Sequence, residues 1–172
     1  PTILSQLVVL LYNLADTFFV GHTNNPYQVA SLTLSFPIFM SMTMIGNLFG
    51  IGANSLISRS LGSGDRVNAQ KTSTFAFYGA LALMAVWMIL LSVLMNPILQ
   101  MVGAVTPQTN QATRAYLNWT VIIGGLPTVA SLMIGHLLRG EGDTGHASIG
   151  MALGGIINIA LDPIFVQGLT MG

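Results

Sequence analysis

Long apolar runs broken by short polar stretches organise this chain. Five runs approach or meet the roughly 20 residues that a membrane-spanning helix needs at about 1.5 Å each. They predict helices at about 2–21, 29–58, 73–96, 112–138 and 145–168. The run from Phe75 to Met95 is the cleanest, free of charge and proline. The others carry Asp16, Pro37, Pro127 or Asp162 inside them. A soluble core helix shows a polar face at helical spacing, and five successive runs here show almost none. Alternating barrel patterns are equally absent. The pattern therefore predicts an all-α integral membrane fold of five transmembrane helices.

Composition agrees. Charged residues make up only 6% of 172 positions and hydrophobic residues 52%, whereas soluble domains carry about 25% charged residues. Mean hydropathy is +0.72. Such a surface faces lipid, so the bilayer is the first expected partner. Five basic and five acidic side chains balance to zero net charge, which excludes a nucleic-acid-binding field. The absence of cysteine excludes thiolate chemistry. No basic leader or cleavage pattern precedes the first run, which opens at Pro1; the expectation is that the native chain begins earlier.

Orientation follows from the basic residues. Arg59, Arg66, Lys71 and Arg139 fall in the second and fourth connections, and Arg114 alone borders the third. Cytoplasmic connections are enriched in Lys and Arg, so the first segment is expected to run from inside to outside. His22 and Met101 belong on the opposite side. Two similar turns, Gly62-Ser-Gly-Asp65 and Gly140-Glu-Gly-Asp143, read as helix ends: glycine takes positive φ and aspartate starts the next helix as its cap. His22, His136 and His146 read as interfacial residues near helix ends, and Trp119 as an interfacial anchor. Met40, Met42 and Met44 read as lipid-facing filler, with the lining of a hydrophobic drug cavity as the alternative. Pro1, Pro37, Pro127 and Pro163 are candidate kink points.

The candidate chemistry lies in two aspartates. An aspartate at the centre of a membrane helix costs about 2.5–3.5 kcal/mol, so it is normally turned to a cavity or a partner. Asp16 and Asp162 both fall in the outer halves of segments that run the same way, and can therefore sit at one depth. Tyr12 lies four residues before Asp16, and Asn158 four before Asp162, which puts each pair on one helix face about 6 Å apart. Two carboxylates, an amide oxygen and a phenol are hard ligands suited to a small cation or a proton rather than a soft metal. Burial and mutual repulsion would raise the carboxylate pKa values toward physiological pH. Interfacial, hydrated aspartates are the alternative reading.

The stretches Tyr12-Asn-Leu-Ala-Asp-Thr-Phe-Phe-Val-Gly-His22, Gly50-Ile-Gly-Ala-Asn-Ser, Leu61-Gly-Ser-Gly-Asp65, Leu138-Arg-Gly-Glu-Gly-Asp-Thr144 and Asn158-Ile-Ala-Leu-Asp-Pro163 together resemble the prokaryotic multidrug and toxic compound extrusion (MATE) transporters. The resemblance implies two six-helix bundles that export organic cations or drugs in exchange for Na+ or H+ at the cell inner (plasma) membrane. Residues 1–172 would form part of the first, N-terminal bundle. The sixth helix and the C-terminal bundle would lie beyond Gly172. The family's cation site maps onto Asp16, Asn158 and Asp162, with Tyr12 beside it and Pro1 at the bend of the first helix. No cofactor is implied apart from the coupling Na+ or H+, and no catalytic residue.

Three other readings are weighed. A lipid-linked oligosaccharide flippase of the same superfamily wants basic residues inside the bundle for phosphate, and no Lys or Arg lies mid-span here. An intramembrane aspartyl protease needs the aspartate of its Gly-x-Gly-Asp string within the membrane, whereas Asp65 and Asp143 sit in charged connections beside Arg66 and Glu141. A membrane protein with no transport role is the third.

Overall fold

The computed structural model describes residues 26–150 together with 7, 10, 11, 152 and 153. All regular structure among the described residues is helical, with no strand. Helix α1 spans Pro26–Gly62 and α2 Arg66–Val93. A short α3, Met95–Met101, leads to α4, Pro107–Leu117. A π-helical segment, Asn118–Ile123, then runs into α5, Gly125–Gly140. Residues 144–150 and 152–153 are again helical, at the start of the segment expected at 145–168. Leu7, Leu10 and Leu11 are helical within the expected first segment.

Helices α1 and α2 are each long and apolar enough to cross a bilayer, and the bent unit Pro107–Ile123 plus Gly125–Gly140 makes a third. In a bilayer every backbone polar group must be paired within the segment, and helices achieve this. The span expected at 112–138 is thus not a straight helix but two helices meeting at 49°. Its cause is local. Pro127 has no N–H to give to the Ile123 carbonyl, and its ring crowds that turn. One step earlier, the Gly124 N–H reaches back five residues to the Trp119 carbonyl, at 3.0 Å. A Cβ on Gly124 would lie 2.8 Å from the Thr120 carbonyl oxygen. Pro37, by contrast, does not interrupt α1.

The turns form as their sequence predicts. Gly64 and Gly142 take φ of 79° and 88°. Asp65 N–H bonds the Ser60 carbonyl at 2.8 Å, and Asp143 N–H bonds the Leu138 carbonyl at 2.9 Å. This six-to-one closure is the Schellman C-cap. Asp65 then accepts from Asn68 N–H at 3.0 Å, and Asp143 from His146 N–H at 3.1 Å. The same closure ends α3 at Gly103, with φ of 91° and Ala104 N–H on the Leu99 carbonyl.

Packing fixes the helix directions. Gly46 faces Leu132, Gly50 faces His136, and Gly140 faces Asn54 and Ile57. Both series rise in steps of four, so α1 and α5 run parallel with their i±4 ridges meshed. Gly79 faces Phe49 and Asn68 faces Ser60, so α2 is antiparallel to α1. Arg59, Arg66, Lys71 and Arg139 consequently lie toward one end. Gly103, two residues past Met101, approaches Leu34 at the other. His22 lies outside the described residues.

The core is narrow and rich in methionine. Met42, Met84 and Met133 are fully buried, and Met42, Met84 and Met88 surround the site a Gly125 Cβ would fill. Met42 is therefore core rather than lipid-facing filler, while Met44 is 66% exposed, as such filler requires. Large apolar side chains such as Phe75, Tyr78, Val93 and Trp119 point outward. A soluble protein would not tolerate this exterior.

Candidate functional site

The cluster expected from the sequence, Tyr12, Asp16, Asn158 and Asp162, lies outside the described residues, as does Pro1. The described residues supply the frame beside it. Among them no group of three or more His, Asp or Glu side chains converges as a metal site.

A polar contact between helices lies on the exposed edge of the α1–α5 seam. Asn47 on α1 and His136 on α5 meet at 3.1 Å between Oδ1 and Nε2. Gly50 makes this possible, because a Cβ there would stand 2.6 Å from His136 Cγ and 3.0 Å from its Cβ. One turn further along α5, the Gly140 carbonyl lies 3.0 Å from the Ser58 hydroxyl, whose single proton it shares with the Asn54 carbonyl at 2.9 Å. Asn47, Asn54 and Ser58 thus mark one face of α1, and α5 lies against it. His136 lies one turn from the end of α5, near a helix end as expected, and also holds an interhelical hydrogen bond. The sequence signal was faint: a glycine at 50 and a histidine at 136 mean nothing until the register of the two helices is known.

Polar groups are also buried without a hydrogen-bond partner among the described residues: the Ser35 and Thr113 hydroxyls and the Trp87 indole N–H. On the basic end, Asp143 caps the next helix and contacts His146 Nδ1 at 2.7 Å. The backbone hydrogen bond from His146, and then the one from its ring, hold the Asp143 carboxyl below the usual range. His146 does sit at a helix end, on an exposed turn, as the sequence implied.

A narrow apolar-sided helical bundle, with meshed glycine seams and most of its charge gathered at one end, defines a polytopic membrane protein. Comparison with known proteins narrows this. The MatE family model matches residues 1–164, and the chain belongs to that family. It is 28% identical over 99% of its length to the multidrug export protein MepA of Staphylococcus saprophyticus. The chain spans 38% of that protein's length. A multidrug resistance MATE family transporter of the MOP superfamily, solved in an outward-facing conformation, superposes with a TM-score of 0.90 at 30% identity. That match covers 98% of this chain and 37% of the transporter. A MOP superfamily transporter from Pyrococcus furiosus with a binding pocket of reversed polarity superposes at 0.82 with 29% identity, covering 98% of this chain and 36% of that one.

Proposed function

We propose that the full-length protein is a cation-coupled antiporter, driven by Na+ or H+, that exports organic cations or drugs across the cell inner membrane. The chain would contribute five helices of its first bundle. The observation that carries this reading is the similarity to a multidrug export protein along 99% of the chain. The flippase reading finds no support in the described bundle, where Arg59, Arg66, Lys71 and Arg139 gather toward one end.

The coupling site is Asp16, Asn158 and Asp162, with Tyr12 beside them. Na+ or a proton neutralises the carboxylates on one side of the cycle. Neutralisation weakens their hydrogen bonds and lets the helix carrying Pro1 bend, which expels the bound substrate. The ion drives this step only through its different affinity for the two conformations. In the full-length protein, Asp16→Asn and Asp162→Asn are each expected to abolish ion-coupled efflux while membrane insertion stays intact. Drug resistance retained in both variants would discard the mechanism.

A further inference from the structure

At the basic end of the bundle, a cleft of about 510 Å³ opens between the last turn of α1, the first turns of α2 and the turn after α5. Arg66, Gln70, Ser73, Thr74 and Glu141 line it, with Leu61 as an apolar wall. Arg66 and Glu141 share the cleft, yet no ion pair joins them. A guanidinium and a carboxylate thus face one open space without engaging each other. The Thr74 hydroxyl donates to the Gln70 carbonyl at 2.9 Å, which leaves its oxygen lone pairs able to accept.

A second groove of about 440 Å³ adjoins the cleft, lined by Val67, Lys71 and Phe75 and again by Gln70 and Thr74. The two cavities share a wall, one side polar and of mixed charge, the other mainly apolar. Val67 and Phe75 are 62% and 74% exposed, so the groove continues onto the outward apolar surface of α2. Arg59, Lys71 and Arg139 lie at the same end, where basic side chains meet lipid phosphates.

We propose that this bipartite cleft binds one amino phospholipid, with a phosphoethanolamine headgroup between Arg66 and Glu141 and its glycerol and upper acyl chain along Val67 and Phe75. Arg66 takes the phosphate through a charge-assisted hydrogen bond. Glu141, with the Ser73 and Thr74 oxygens, accepts from the primary ammonium. A choline headgroup has no N–H to donate to Glu141. A glycerol headgroup carries no positive charge to meet it. The site is independent of the coupling aspartates, and it would survive if the transport reading failed.

The test is lipid retention by the purified full-length protein, read by native mass spectrometry. The probe is an equimolar mixture of dioleoyl phosphatidylethanolamine, phosphatidylcholine and phosphatidylglycerol. The wild type is expected to retain one ethanolamine lipid per chain with about tenfold preference over choline lipid, the margin one charge-assisted hydrogen bond supplies. Glu141→Gln should bring that preference close to unity. Arg66→Gln should lower retention of all three lipids together, several-fold, because each carries the phosphate that Arg66 takes. Glu141 is an exposed turn residue, so its variant decides alone if Arg66→Gln lowers the melting temperature. Equal retention of the three lipids by the wild type overturns the proposal. So does an unchanged preference in Glu141→Gln. Displacement of the lipid by equimolar soluble phosphoethanolamine overturns the lipid assignment, because it would mean that the groove contributes nothing.

Discussion

At Gly50 the missing side chain decides how closely α5 approaches α1. A Cβ there would stand 3.0 Å from His136 Cβ, an atom fixed to the α5 backbone. The ring cannot swing clear without leaving Asn47. Gly52, two residues on, has open space around its missing Cβ, and a helical glycine costs about 0.5–1 kcal/mol relative to alanine. Gly50→Ala is therefore expected to destabilise the bundle by about 1–3 kcal/mol, the usual cost of overpacking, and Gly52→Ala to stabilise it slightly. Melting temperatures of the two variants in one detergent check the opposite signs. The Asp143 carboxyl makes a prediction of another kind. Its folded pKa lies below the ordinary value of 3.8, chiefly through the His146 backbone hydrogen bond. A depressed pKa means that the charged form is favoured by folding, so its contribution is complete above that ordinary value. It is lost as pH falls through the lower folded-state value. Protection of the amides of residues 144–150, corrected for the intrinsic pH dependence of exchange, should fall only on that acid side. Asp143→Ala should show the lower protection at neutral pH already, and Asp143→Asn, which keeps a capping oxygen, should stay close to the wild type there.

Among the helices, the run from Phe75 maps onto α2 as far as Val93, with a break at Leu94 and Met95 opening α3, and the glycine-aspartate turns appear where sequence placed them. The bent third span was only half legible. Gly124, Gly125 and Pro127 marked a weak place in the run, but an apolar run carries no information about whether its backbone bonds reach back four residues or five. That choice depends on which side chains must face the core on either side of the bend: Leu117 and Val121 before it, Val129 and Met133 after it, all fully buried. Likewise α3 and the start of α4 fell in what reads as a connection, because Asn96, Pro97 and Pro107 punctuate it. Proline is welcome in a helix's first turn, and both prolines sit there. The two glycines at the bend are not equivalent. A Gly124 Cβ would lie 2.8 Å from a backbone carbonyl oxygen, whereas the Gly125 Cβ would meet the flexible methyl end of Met84. Gly124→Ala is expected to cost about 1–3 kcal/mol and to reduce the bend, and Gly125→Ala clearly less. Melting temperatures give the ranking; a Gly125 variant that is the worse of the two would show that the bend does not depend on Gly124.

For the whole molecule, two different arguments bear on the same topology. Counting basic residues assigned the second and fourth connections to one side; packing places Arg59, Arg66, Lys71 and Arg139 at one end because α1 and α5 are parallel and α2 opposes them. The aspartates were found by a third route, the cost of a carboxylate in a hydrocarbon run, which is why Asp16 and Asp162 stood out while the Asn47–His136 pair did not. An aspartate in an apolar run is anomalous alone, whereas a hydrogen bond between helices exists only once their register is fixed. Which end faces the cytoplasm can be tested directly, since this chain contains no cysteine. In a cysteine-free full-length background, single cysteines at Lys71 and Gly142 should react with a membrane-impermeant maleimide only in inside-out vesicles. Cysteines at Met101 and Val105, which are 86% and 75% exposed, should react in intact cells. The loss of a positive charge at Lys71 leaves three of the four basic residues on its side, enough to hold the orientation. Labelling of position 71 and position 101 from one and the same side would contradict the antiparallel packing of α2 itself. Labelling of both sets with the sides exchanged would preserve the packing and invert the protein in the membrane.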